Sequence, residues 1–148
     1  MRRVVVTGLG MLTPLGNGVD VNWKRLISGQ IGIRKISGFD VSDISCKIAG
    51  QIPQKIDDPE AGLDIDQWIE PRDQKRIDRF IAYGIISAMQ AVEDSGWKPK
   101  NHEEKLRTGV ILGSGIGGLE TIAKTTEIII SKGPRKVSPF FIPSALIN

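Results

Sequence analysis

The sequence has few of the residues that build disulfides, metal centres or membrane spans. Its 148 residues include one cysteine, Cys46, and one histidine, His102, so an internal disulfide is impossible and a His/Cys metal site is not expected. The longest apolar runs, such as residues 128–130, are far shorter than the roughly 20 residues that cross a bilayer. The three valines before Thr7 are too few for a secretory signal. These absences predict a protein of a reducing, cytoplasmic compartment, with no metal and no membrane span.

The charge balance and the missing motifs exclude several classes of function. There are 20 Lys and Arg residues against 17 Asp and Glu residues, and the two signs are interspersed along the chain. The net charge of +3 is too small for a nucleic-acid-binding stripe. Neither a G-x-x-x-x-G-K-[ST] phosphate loop nor a G-x-S-x-G nucleophile elbow occurs. The sequence therefore lacks the usual motifs of nucleotide hydrolases and serine esterases.

Short β-branched and apolar runs predict strands of an α/β fold. Residues 3–7 form one such run, and glycines follow it. Residues 108–113 are apolar on both faces, as in a central strand that helices cover on each side of the sheet. Between residues 31 and 63 the periodicity fades, apart from a β-like piece at residues 47–52. We expect this stretch to be an elaborated surface segment.

Three helices are predicted from apolar residues at three- and four-residue spacing. The first follows Asp20, which can cap it, and Gly29 stops it. The clearest covers residues 77–92, and a third starts near residue 119. Residues 128–130 fit either the end of this third helix or a strand, and we favour the helix.

The glycine-rich loop at residues 113–118 formally satisfies the dinucleotide pattern G-x-G-x-x-G between a predicted strand and a predicted helix. That pattern also requires an acidic residue roughly 20 positions later, where this chain has Arg135, Lys136 and Ser138. Glycines can equally let the backbone pass close to a bulky neighbour. We favour close passage, with a dinucleotide-binding oxidoreductase as the weaker alternative.

Cys46 and His102 are candidates for a nucleophile and its base, because a thiol needs a base to raise its thiolate fraction. His102 lies in a polar stretch that indicates a solvated loop, and Cys46 lies in the irregular segment. An inert or partly buried Cys46 is the better interpretation.

A group of four basic residues occurs at the start of the clearest helix. At 100° per residue, one helix face would carry Arg72, Lys75, Arg76 and Arg79. Such a face is most often simply solvated. The alternative is a docking site for an acidic protein or a phosphate group.

Four segments share the order and spacing found in the β-ketoacyl-acyl-carrier-protein synthases. They are residues 3–16, residues 72–84 followed by Asp94-Ser95-Gly96, residues 113–119 and residues 133–144. Together they resemble this family, most closely its synthase II branch, over essentially the whole chain. Four ordered segments are far more specific than a single glycine pattern.

The resemblance implies a thiolase-like layered α/β fold (α-β-α-β-α), of which residues 1–148 are the early part of the N-terminal half, and a homodimer. Family members use a cysteine nucleophile with two histidines, and by comparison all three fall beyond Asn148. The chain is therefore expected to be truncated before the catalytic cysteine and to be inactive alone, with no catalytic residue of its own. Cys46 and His102 do not lie in the matching motifs.

The resemblance also implies roles for five residues. Arg72, Lys75 and Arg76 fall where family members present basic residues to the acidic acyl carrier protein. Ile116 falls at the family's acyl-pocket gate, so that the glycines around it would give clearance to an apolar tail. Phe141 matches an aromatic residue that reaches the partner subunit's pocket.

The implied activity is the decarboxylative condensation of malonyl-carrier protein with an enzyme-bound acyl thioester in fatty-acid elongation. It needs no metal or nucleotide, since the substrates are carried on the phosphopantetheine of the carrier protein. A catalytically dead ketosynthase partner, similar to a chain-length factor, would share the same segments. Only a catalytic cysteine downstream separates these two possibilities.

Overall fold

The computed structural model describes residues 2–146 and divides the chain into two compact units. The first unit comprises Met1–Asp64 and Ser87–Gly96, and the second comprises Ile65–Ile86 and Trp97–Asn148. Residues 147–148 lie outside the described residues.

Helices dominate the regular structure. The helices are α1 (Val19–Ile27), α2 (Pro71–Gln74), α3 (Arg79–Ser95), α4 (His102–Leu106), α5 (Leu119–Lys132) and α6 (Phe141–Ala145). The strands are β1 (Leu12–Thr13), β2 (Gly16–Asn17), β3 (Ile33–Lys35) and β4 (Ile48–Gly50). Strand β1 pairs antiparallel with β2, and β3 pairs antiparallel with β4, with Arg34 opposite Ala49. The β-like piece predicted at residues 47–52 is therefore confirmed.

The prediction of strands at residues 3–7 and 108–113 is wrong. Both segments lack regular structure, and both expose their apolar residues, with Val4 92% and Ile111 98% exposed. A central strand needs a hydrogen-bonded neighbour on each side. Within the described residues the sheets hold only two strands each, and neither segment belongs to one.

The predicted helices are confirmed, because an amphipathic period is a local property of the sequence. Helix α1 begins after Gly18 at the N-cap, so the predicted cap at Asp20 is wrong. Asp20 instead lies in the first turn, where a negative charge stabilises the helix dipole. Helix α5 includes residues 128–130, and α3 buries Ala82 and Ile86 on its apolar face.

Gly8 and Gly10 let the N-terminal segment lie directly against the second half of α3. A Cβ at Gly10 would lie 2.9 Å from Ala91 N, and the Ser87 carbonyl group would be closer still. The Leu9 amide donates to Asp94 Oδ2 over 2.8 Å. These first glycines therefore allow the backbone to pack closely against a helix.

An ion pair between Arg25 and Asp58 ties α1 to the loop after β4. Both side chains are only 11% exposed, and Arg25 also donates to Leu15 O over 2.7 Å. The hydrogen bond from Arg25 lowers the pKa of the Asp58 carboxyl from 3.8 to about 2. The pair therefore stabilises the folded state only while Asp58 is ionised.

Replacing Arg25 by Met is expected to lower the free energy of unfolding at pH 7 by about 1–3 kcal/mol, since Asp58 and Leu15 O lose a shared donor. The folded-state pKa of Asp58 lies below its unfolded value, so its stabilising contribution is complete above about pH 5 and is lost as the pH falls towards 2. The difference between the two proteins should therefore shrink over that range. Urea unfolding at several pH values measures it.

Lys24→Met is the matched control. The Lys24 side chain is 78% exposed, and its Nζ lies 4.0 Å from Glu60 Oε1, so the change should cost less than about 0.5 kcal/mol. A difference for Arg25→Met that stayed constant from pH 7 to pH 3 would contradict the role of the Asp58 charge.

Candidate functional site

The three residues expected at a docking surface lie in and just after α2, and not on one continuous helix. Arg72 belongs to α2, Lys75 caps its C-terminus, and Arg76 follows. The chain leaves helical geometry over residues 75–78, where Arg76 N donates to Asp73 O in a tight turn. The predicted single helix face is therefore wrong, although the cations remain neighbours in sequence.

Arg72, Lys75 and Arg76, here called the basic cluster, are exposed. Asp73 lies 3.5 Å from Arg72 and 3.9 Å from Arg76, which is a loose association on the surface. Lys75 forms no ion pair within 4.0 Å in the part of the chain that the structure describes. The basic cluster therefore keeps most of its positive charge available to solvent or to a partner.

Arg79 differs from its neighbours because its guanidinium forms a close ion pair within the second unit. Its Nη2 lies 2.7 Å from Glu120 Oε2, and Lys124 lies 2.6 Å from the other oxygen of the same carboxylate. The hydrogen bond to Glu120 raises the pKa of Arg79. Hydrogen bonds from Lys124 and Arg79 lower the pKa of Glu120. The sequence grouped Arg79 with the basic cluster, but the structure separates them.

The basic cluster touches the segment that carries Phe141. The Arg76 guanidinium lies 4.8 Å from the centre of the Phe140 ring, a distance at which a cation is attracted by the ring face. Phe140 immediately precedes α6, and Phe141 is the first residue of that helix. One candidate docking residue is thus stacked on the residue that precedes the candidate pocket residue Phe141.

Ile116 lies near the tip of the glycine-rich loop and is 75% exposed. Gly113 and Gly115, which both precede it, have open space where a side chain would begin. The Gly117 amide donates to Ser114 Oγ over 3.2 Å, which closes the loop behind Ile116. The loop therefore presents Ile116 on an open surface that nothing else in the described chain fills.

The bulky neighbour expected at the other glycines is the backbone of α6. Gly117 has a φ of +81°, and a Cβ there would lie 2.9 Å from Ala145 O. A Cβ at Gly118 would lie 2.8 Å from Ala145 Cα, and its amide donates to Ala145 O over 3.0 Å. Clearance at Gly117 and Gly118 is thus needed for helix packing, which brings the Ile116 loop and α6 together.

Asp78 occupies the place where a dinucleotide phosphate would bind. The Thr121 amide and hydroxyl both donate to Asp78 Oδ2, over 3.0 and 2.7 Å, at the N-terminus of α5. In a dinucleotide site that helix N-terminus holds the pyrophosphate. A carboxylate already in this position repels a phosphate, which argues against the oxidoreductase alternative.

Asp78 was missed by the motif analysis, although the sequence holds a signal for it. It lies four residues before Ala82 and eight before Ile86, both buried in the structure. A carboxylate in line with an apolar stripe indicates a buried, hydrogen-bonded acid. Asp78 is indeed only 8% exposed.

Cys46 and His102 show no catalytic arrangement in the described residues. Cys46 is exposed, so the expectation of partial burial is wrong, and its Sγ lies 3.4 Å from Ile48 O. His102 is the exposed first residue of α4. Between residues 2 and 146, no three His, Cys, Asp or Glu side chains gather as metal ligands. No helix in that range is long and apolar enough to span a membrane.

Comparison with solved structures identifies the fold. The chain superimposes on "The ishigamide ketosynthase/chain length factor" with a TM-score of 0.74 at 24% identity, covering 98% of this chain and 34% of that one. It also superimposes on a structure described as a type II PKS acyl-carrier protein in complex with its ketosynthase, with a TM-score of 0.70 at 23% identity. The expected thiolase-like α/β class, with this chain as an N-terminal part, is thereby confirmed.

Sequence comparison identifies the family. Two proteins named 3-oxoacyl-[acyl-carrier-protein] synthase 2, from Rhizobium meliloti and Vibrio cholerae, are each 48% identical over 148 and 147 residues. These matches cover 100% and 99% of this chain but 35% and 33% of the relatives, so the chain spans about a third of their length. The family model described as "Beta-ketoacyl synthase, N-terminal domain" matches residues 1–148. The chain therefore belongs to the β-ketoacyl synthase family, and it corresponds to the N-terminal domain of that family.

Proposed function

We propose that this chain is the N-terminal part of a 3-oxoacyl-[acyl-carrier-protein] synthase II, an acyltransferase of fatty-acid elongation. The observation that carries the proposal is the 48% identity, over the whole chain, to two proteins of that name. The exposed basic cluster and the open loop around Ile116 supply surfaces that such an enzyme requires.

The proposed reaction forms a carbon–carbon bond in two stages. An acyl group passes from the carrier thiol to an enzyme cysteine, which forms one thioester and releases the other thiol. Malonyl-carrier protein then loses carbon dioxide, and the resulting carbanion attacks the acyl thioester and expels the enzyme thiolate. Two histidines would stabilise the developing enolate oxygen. The family resemblance assigns that cysteine and both histidines to positions beyond Asn148.

The basic cluster is proposed to dock the acidic acyl carrier protein. Its two arginines form only loose ion pairs with Asp73, at 3.5 and 3.9 Å, whereas the neighbouring Arg79 forms a close ion pair with Glu120, at 2.7 Å. A positive patch of this kind speeds encounter with an acidic partner and selects its orientation. The stack of Arg76 on Phe140 sets this patch beside α6.

Ile116 and Phe141 are proposed to line the path of the acyl tail. Ile116 is an exposed apolar side chain with open space beside it, which suits a long apolar ligand. The resemblance further supports a homodimer in the cytoplasm, with Phe141 reaching the partner subunit's pocket. No cofactor is proposed beyond the phosphopantetheine that the carrier protein brings. A catalytically dead, chain-length-factor-like partner is the alternative, and a cysteine at the matching position downstream decides between them.

The proposal is tested in a hybrid synthase, defined as the Rhizobium meliloti relative whose matching segment is replaced by these 148 residues. The double change Arg72→Glu and Lys75→Glu is expected to weaken carrier-protein binding at least about tenfold at low salt, because attraction becomes repulsion. The effect should shrink as salt rises, since exposed charges are screened. Titration of labelled carrier protein at two ionic strengths measures it.

Arg34→Glu with Lys35→Glu is the matched control, because it changes the net charge equally at exposed residues of β3. It should leave affinity within about twofold. Equal weakening by both pairs would show that only net charge matters, and it would remove the docking assignment.

A further inference from the structure

We propose that Asp78 is a positioning residue of the acyl pocket, which holds the Ile116 loop and the start of α5 in register with α6. This inference rests on the proposed function for the meaning of the pocket. It assigns a specificity role to a carboxylate that touches neither the carrier protein nor the reacting atoms.

Asp78 is a buried carboxylate with defined partners. It is 8% exposed, and a single oxygen, Oδ2, accepts both the Thr121 amide and the Thr121 hydroxyl. Those two donors belong to the first turn of α5, where backbone amides otherwise lack partners. The negative charge also interacts favourably with the positive end of the helix dipole. A neutral side chain of the same shape would lose the charge-assisted part of this contact.

The same oxygen also lies next to the glycine-rich loop. A Cβ at Gly118 would lie 3.1 Å from Asp78 Oδ2 and 2.8 Å from Ala145 Cα. Gly118 is thus close to both the Asp78 carboxylate and the backbone of α6. Its own amide donates to Ala145 O over 3.0 Å.

These contacts form one chain of connections from Asp78 to both pocket residues. Ile116 is two residues before Gly118, and Phe141 starts the short helix that ends at Ala145. Ile116 itself is exposed and therefore has few contacts of its own to fix its position. The position of Ile116 thus depends on the residues that follow it, which are held by the contacts of Gly118.

We therefore expect Asp78 to affect the binding of long acyl tails and not the reactivity of the thioester. A displaced loop shifts Ile116 relative to the tail, and a misplacement of about 1 Å can change a rate by up to roughly two orders of magnitude. A short acyl chain that does not reach the gate should be insensitive to this shift. A positioning role of Asp78 would therefore change the ratio of the rates for the long and the short acyl chain.

The test is Asp78→Asn in the hybrid synthase, assayed with a short and a long saturated acyl-carrier protein. Asn keeps the shape and one acceptor oxygen but removes the charge. The long-to-short ratio of kcat/KM is expected to change about tenfold, with kcat for the short chain within about twofold. A parallel loss for both chain lengths, an unchanged ratio, or failure of the variant to fold would each overturn the positioning role.

Asp94→Asn is the matched control, since Asp94 is an exposed carboxylate that accepts the Leu9 amide near the end of α3. It should leave the ratio unchanged. Hydrogen exchange gives a second readout that does not depend on activity. Asp78→Asn should speed exchange at Thr121 and residues 113–118 and leave α1 unaffected. Unaltered exchange at Thr121 would contradict the proposal.

The proposed function and this inference fail in different ways. An unmodified hybrid synthase that folds but forms no 3-oxoacyl product would refute the proposed function. An active hybrid whose Asp78→Asn variant keeps the original chain-length profile would refute the positioning role alone.

Discussion

The 148-residue chain alone is expected to form no 3-oxoacyl product from acyl- and malonyl-carrier protein, at a detection limit about a thousandfold below the rate of the hybrid synthase. The reaction needs a thiolate nucleophile and hydrogen-bond donors aimed at the enolate oxygen, and loss of one such donor alone costs about 100- to 1,000-fold. Cys46 is exposed, and its Sγ lies against the Ile48 carbonyl oxygen, an acceptor that cannot stabilise a thiolate. Mass spectrometry of the products measures the outcome.

Two substitutions in the hybrid synthase separate an inert cysteine from a catalytic one. Cys46→Ser and His102→Ala should each leave the condensation rate within about twofold, because neither residue lies in the motifs that match the family. Product formed by the isolated chain and abolished by Cys46→Ser would overturn the assignment of catalysis to residues beyond Asn148.

Helices could be predicted from the sequence because their determinants are local. The three- and four-residue spacing that buries Ala82 and Ile86 is visible without any tertiary information. The strands at residues 3–7 and 108–113 could not be predicted in the same way. A strand acquires its hydrogen bonds only from other strands, and in the described part of the chain these segments have no strand beside them.

The candidate site was predictable as a set of residues but not as an arrangement. The basic cluster was found from charge and spacing, but the break in the helix at residues 75–78 removed the expected common face. Arg79 is set apart from the cluster because it forms a close ion pair with Glu120, 41 residues away in sequence. Similarly, the glycines at 117 and 118 signalled a close neighbour, but only the structure identifies it as α6. Long-range partners of this kind leave no periodic trace in a sequence.

Ile116→Trp in the hybrid synthase is expected to lower kcat/KM for a long acyl chain about 100-fold and to leave that for a short chain within about threefold. Ile116 is 75% exposed in the described chain, so a larger side chain can be accommodated without clashing with the fold. Its added volume would instead occupy the space proposed for the tail, where each excluded methylene is worth about 1–3 kcal/mol. The distribution of product lengths from mixed acyl substrates measures the effect directly.

Ile130→Trp provides the control, because Ile130 is 81% exposed near the other end of α5. It adds the same volume but lies inside α5, fourteen residues beyond Ile116 in sequence. If the loop forms the gate, only Ile116→Trp shortens the products. If both variants lower the two rates equally, the changes act through stability, and Ile116 has no special relation to the acyl tail. A shift towards shorter products that occurs only in Ile116→Trp would identify Ile116 as a pocket residue. Its exposure alone cannot do so, because single exposed apolar side chains are common on protein surfaces.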